Sequence, residues 1–133
     1  MNQQDETFEE ILSDYNYNIR RWKSLVKHME NEVVFLDRLL SSEAFGTVMT
    51  HTMRERHHHF KKMVKVKAEI LADFKAEVDR HQADLLRLAP TKHVGKNAMH
   101  TAQHESLKIR FEKFCKEFDE FRTRVLLQTG SAM

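Results

Sequence analysis

Apolar residues return along this chain at intervals of three and four. In its first third Leu12, Ile19, Val26, Val33 and Leu40 stand seven residues apart, and Phe8, Tyr15, Trp22, Met29 and Leu36 fill the complementary register. A stripe kept up for this long marks a helix that buries one seam, positions a and d of the heptad abcdefg, against other helices. Thr7 followed by Glu10 fits a capping box, and Gly46 can take the left-handed conformation that stops a helix after Phe45. The pattern predicts a first helix over about 6–44.

A second stripe, over about 48–89, has Val64, Leu71, Val78 and Leu85 at a and Met53, Phe60, Phe74 and Leu88 at d. It is interrupted by His57 at a and by Lys67 and His81 at d, each a polar group where burial is expected. Pro90 cannot continue the hydrogen-bond ladder and disfavours helical backbone at Ala89, so the segment ends there. The third stripe, over about 97–128, carries Phe111, Phe118 and Val125 at a with Leu107, Phe114 and Phe121 at d. Its first turns are polar: Asn97 and His104 fall at a and His100 at d, with Asn97 also placed to cap the helix.

Three glycines and one proline in 133 residues leave too few turns for a strand-rich fold, and they cluster between the stripes. The expected fold is therefore all-α, one domain over 1–133. It is an antiparallel up-down-up bundle of three long helices with coiled-coil-like packing, and a second copy is a candidate partner. Trp22 on the seam resembles the tryptophan of spectrin-type repeats. The last helix has phenylalanines where such a repeat carries a second tryptophan, so the likeness is one of architecture and no family is assigned.

Charge and cysteine content narrow the function. Charged residues make up 32% of the chain and the formal net charge is +2, which suits a polar surface and no membrane span; the longest apolar run is Val33 to Leu36. The N-terminus is polar and acidic without a signal-like apolar stretch, and the single Cys115 excludes an intramolecular disulfide framework, so a cytoplasmic location is expected. No phosphate-binding glycine loop and no nucleophile elbow is present, and Cys115 reads as a packing residue. Enzyme chemistry thus finds little support, and no cofactor is implied.

The histidines are the chemistry that remains. His100 and His104 are spaced i, i+4 on one face, and folding the second helix onto the third brings His81 level with His104, near Leu12 and Tyr15 of the first. Three imidazoles so placed could hold zinc or another divalent transition metal, with Glu77 and Glu105 as neighbouring carboxylates. Bland alternatives are ring tips reaching water or a backbone carbonyl, and a packing role sensitive to pH. A di-iron carboxylate site is disfavoured, since the Glu-x-x-His spacing and the fourth helix are missing. The basic stretch 54–67, with Arg54, Arg56, Lys61, Lys62, Lys65 and Lys67 around His57, His58 and His59, could attract nucleic acid or acidic lipid. It lacks aromatic interleaving, and carboxylates at Glu30, Glu32, Asp37, Glu117, Asp119 and Glu120 come level with it, so internal neutralisation is expected and nucleic acid is disfavoured.

Apolar residues off the seam point to a partner. Val34, Phe35, Leu126 and Leu127 fall at b and c, positions that face water in an isolated three-helix bundle, and all lie at one end beside Phe45, Val48 and Met49. Val34, Phe35, Phe45, Leu126 and Leu127 are therefore the candidate interface of a non-enzymatic interaction or scaffolding module that contacts a second copy or another protein. A small helical metal- or ligand-binding protein using the histidine end is the alternative.

Overall fold

A computed structural model describes residues 3–41, 50–93 and 97–132. Three α-helices account for nearly all of them: α1 (Gln3–Leu40), α2 (His51–Leu88) and α3 (Ala98–Ala132), with a 3-10 turn at Ala89–Thr91 and no strand among the described residues. No described helix is long and apolar enough to cross a membrane.

The helix ends follow local chemistry. Helix α1 runs through Thr7 from Gln3, so Thr7 is not its cap, and it ends at Leu40, short of the expected stop near 44. The ring of His57 on α2 is hydrogen-bonded to the Leu40 carbonyl, one of the acceptors that a helix end leaves open. Gly46 and the expected cap at Phe45, Val48 and Met49 lie outside the described residues. Helix α2 opens at Thr50, whose Oγ1 accepts from the Met53 N–H at 3.2 Å. It closes in the 3-10 turn with Pro90 in its first positions, and Lys92 at φ 58° is left-handed. Asn97 caps α3 as its position suggested: its Oδ1 accepts from the His100 N–H at 2.8 Å. Helix α3 continues past the expected end near 128 and through Gly130.

Burial follows the heptad. On α3 the buried side chains are His100, His104, Leu107, Phe111, Phe114, Phe118, Phe121 and Val125, spaced alternately by four and three, followed by Thr129. They meet Ile19, Trp22, Val26, Met29, Leu36 and Leu40 of α1 and Phe60, Val64, Leu71, Val78, Leu85 and Leu88 of α2 in one core. Phenylalanines interlock within it: Phe74 meets Phe111 edge-on at 5.5 Å, and Phe60 meets Phe121 at 6.0 Å.

Cross-helix polar contacts pair particular flanks. Pairs between α1 and α2 run in opposite order along the two helices, with Lys23 on Asp79 at 3.5 Å and Glu30 on Lys75 at 3.5 Å. Glu77 of α2 accepts from the two terminal guanidinium nitrogens of Arg110 on α3. Glu32 of α1 accepts from Arg122 of α3 at 2.5 Å. Two polar interruptions of the α2 seam are thereby explained, since His57 serves the end of α1 and Lys67 lays its ammonium over Phe114 and Phe121 at 5.8 and 5.9 Å.

Candidate functional site

The third interruption, His81, is the centre of a buried polar cluster. His81, His100 and His104 are 5%, 2% and 3% exposed. Seam position dictates this: d on α2 and d and a on α3 all point inward, so the sequence sends three imidazoles to one level. Tyr15 of α1 stacks on His104 with ring centroids 3.8 Å apart and also touches His100 at 5.6 Å. Trp22 closes the other side, 5.0 Å from His104 and 6.5 Å from His81.

Hydrogen bonding orders two of the rings. The Asn18 side-chain amide donates to His104 Nε2 at 3.0 Å. With that nitrogen accepting, the ring proton of His104 sits on Nδ1, which faces His81 Nε2 at 2.7 Å and donates to it. The relay runs from Asn18 through His104 to His81, and both histidines are neutral in it. His100 is different. Both of its ring nitrogens are buried without a hydrogen-bond partner among the described residues, and its ring lies flat on His81, 4.4 Å between centroids and 8° between planes. The nearby His81 backbone favours the charged form of His100 electrostatically but does not close a hydrogen bond to it.

Electrostatics agree with three neutral rings. Burial, reinforced by the neighbouring His100, holds His81 down to about 4. Burial, reinforced by His81 and His100, holds His104 down to about 3. His100 is lowered as well, again chiefly by burial, although Asp84 pulls the other way.

The structure thus brings together all three histidines nominated from the sequence. The Glu77 carboxylate is bound to Arg110, which holds it below the usual range, and Glu105 is exposed. Among the described residues no three of His, Cys, Asp and Glu are grouped so as to hold a metal ion. His81 and His104 turn their facing nitrogens on each other; a tetrahedral zinc at about 2.0–2.1 Å from each would need them about 3.3 Å apart. Asn18 was missed by sequence reasoning. It stands at position g of α1, a flank position with no apolar signal to mark it.

At the other end, Val34, Phe35 and Leu127 are 49%, 50% and 67% exposed, whereas Leu126 is half-buried against the core and belongs to it. Val34 opens onto a groove of about 500 Å³ between α1 and α2, lined also by Val33, Ala68, Leu71, Ala72 and Ala76. Phe45 lies outside the described residues. In the basic stretch the carboxylates expected to neutralise it form no ion pair with it among the described residues. Glu30 and Glu32 are taken by Lys75 and Arg122, and among the described residues no carboxylate lies within ion-pair distance of Arg54, Arg56, Lys61, Lys62, Lys65 or Lys67. Arg56 instead donates to Gln128 at 2.6 Å.

Comparison with protein-family models, with curated proteins and with solved structures finds no match.

Proposed function

We propose that the chain is a non-enzymatic interaction module, an antiparallel up-down-up bundle with coiled-coil-like packing that associates with a second copy of itself through the end carrying Val34, Phe35 and Leu127. Three cross-helix flanks support the arrangement: α1 against α2 through Lys23–Asp79, α2 against α3 through Glu77–Arg110, and α1 against α3 through Glu32–Arg122. Taken with Glu30–Lys75 the α1–α2 contacts run in opposed order, as do Phe60–Phe121 and Phe74–Phe111 between α2 and α3. Tyr15–His104, Trp22–Phe111 and Glu32–Arg122 run in the same order along α1 and α3.

The observation that carries the functional reading is an exposed aromatic beside a hollow. Phe35 is half-exposed one residue from Val34, which lines a groove floored by small side chains at Ala68, Ala72 and Ala76. A two-fold axis beside that rim places the Phe35 of each copy over the groove of the other, the self-complementarity that an isologous contact requires. Charge does not oppose the approach, because Lys75 with Glu30 and Lys23 with Asp79 neutralise one another along the rim.

Sedimentation at about 10–100 μM tests the reading at an affinity that matters for a micromolar complex. Wild type is expected as a dimer, and the paired substitution Phe35→Glu with Leu127→Glu as a folded monomer. A monomeric wild type across that range, or a variant that stays dimeric, overturns the proposal.

A further inference from the structure

The first nine residues of α3 are docked by histidine alone. Within 98–106 the only buried side chains are His100 and His104, and the remainder are exposed, including Met99 at 72%. The first apolar anchor is Leu107, after which Phe111, Phe114, Phe118, Phe121 and Val125 hold the rest of the helix. Asn97 caps this segment at its start, so its first turn has one hydrogen bond that does not depend on the apolar core.

We propose that residues 98–106 form a proton-operated latch: neutral His100 and His104, with His81, hold this stretch of α3 against α1 and α2, and protonation releases it while the phenylalanine-packed remainder stays folded. The geometry is built for neutral rings. A proton on His81 Nε2 would set a donor against the His104 Nδ1 donor. One on His104 Nε2 would set a donor against the Asn18 amide. A proton on His100 would create a buried cation whose ring nitrogens have no hydrogen-bond partner among the described residues, and would press it against the stacked His81 ring.

The carboxylates near the cluster, Asp84 and Glu77, favour the charged rings, but burial outweighs them. From α1 the cluster meets Tyr15, Asn18 and Trp22, none of them charged at neutral pH. From α2 the charged neighbours of the rings are Glu77, Asp84 and Arg87, and from α3 Lys108, with Arg80 and Arg110 acting on Glu77 behind them. Both carboxylates are engaged, Glu77 by Arg110 and Asp84 by Arg87 at 3.6 Å. Opening to water relieves all three rings at once, which makes the release cooperative in protons. For each histidine the open form gains about tenfold per pH unit between the ordinary value near 6.5 and its value in the closed form. The latch lies at the far end from Phe35 and Leu127, so it stands independently of self-association.

Trp22, the single tryptophan, reports directly because it touches His81 and His104. The full chain is titrated from pH 7.5 to 4 while its fluorescence, far-ultraviolet circular dichroism and amide hydrogen exchange are followed. A Trp22 transition centred between about pH 4 and 6 with uptake of two or more protons is expected. Exchange at 98–106, corrected for intrinsic rates, should rise more than about tenfold while 111–125 remain protected. The double substitution His100→Leu with His104→Leu should abolish the transition, and His104→Gln, which keeps a neutral polar group, should move it to lower pH. A flat Trp22 signal down to pH 4 overturns the latch. So does simultaneous loss of protection over 111–125, or a His104→Gln midpoint equal to wild type. One equivalent of zinc at pH 7.5 should leave Trp22 and the exchange pattern unchanged; protection of 98–106 by zinc would make the cluster a metal site instead.

Discussion

His81 and His100 lie face to face, one from each of two helices, with their planes 8° apart. Such a stack is acceptable for neutral imidazoles and repulsive for two imidazoliums, so the proton content of this pair is tied to whether the helices stay together. At neutral pH the arrangement still has a defect, namely the two nitrogens of His100, which find no hydrogen-bond partner among the described residues. An unsatisfied buried polar group costs about 1–3 kcal/mol.

His100→Leu removes that defect while keeping a side chain of similar bulk on Tyr15 and His81. Chemical denaturation at pH 7 should show a gain of about 1 kcal/mol over wild type, and the gain should widen at pH 5, where wild type carries the added cost of proton uptake. A loss of stability at pH 7 would mean that the ring nitrogens have partners in solution.

The sign of the overall pH dependence follows from the same rings. Their values are lowered on folding, so their stabilisation is fully present above about 6.5 and declines as pH falls toward the values near 4 and 3 held by His81 and His104. Each contributes a slope of up to about 1.4 kcal/mol per pH unit in that window. Urea midpoints measured from pH 8 to 5 should be level above pH 7 and fall below it, and His81→Leu should flatten the fall.

Phe111 is fully buried and touches both Trp22 and Phe74. Its replacement by Ala should cost about 3–5 kcal/mol. Phe74 sits on the seam by sequence yet is only half-buried, so Phe74→Ala should cost less, about 2 kcal/mol. Comparison of the two denaturation midpoints at equal slope checks the ranking.

Much of this was readable in advance, and the reasons differ by residue. Seam positions repeat every three and four residues, so the convergence of His81, His100 and His104 followed from register alone. The contact of Asn18 did not, because a g position carries no periodic signal and its role appears only once His104 offers it a nitrogen. The contact at the end of α1 was not legible for a similar reason: the ring hydrogen-bonded to the Leu40 carbonyl comes from His57 on another helix. Charge pairing in the basic stretch also went astray. Being level along the axis is not enough when Lys75 and Arg122 stand on the flanks that Glu30 and Glu32 face.

The Glu32–Arg122 pair is the better placed of the cross-helix ion pairs, with the Glu32 side chain 19% exposed. A double-mutant cycle using Glu32→Gln and Arg122→Met should return a coupling of about 0.5–1 kcal/mol that weakens in added salt. Zero coupling at low salt would show that it does not help to orient α1 against α3.

Cys115 is half-buried on α3, and burial raises its thiol above the ordinary value. Alkylation by iodoacetamide at pH 8 should therefore run slower than for a free thiol, and should speed up on addition of denaturant. Reaction at the free-thiol rate in the folded protein would place it at the surface.

The division of α3 into a histidine-docked beginning and a phenylalanine-docked remainder carries over to calorimetry. The heat-capacity increment of unfolding grows with the apolar surface exposed, and the buried apolar side chains of α3 lie between Leu107 and Val125. Detachment of 98–106 in acid removes little of that surface from the main transition. At pH 5 the thermal unfolding should keep nearly its neutral-pH heat-capacity increment even as its midpoint drops. The curvature of stability with temperature thus comes from the apolar core that the three helices share, and the acid response of these rings from the histidine-docked turns alone.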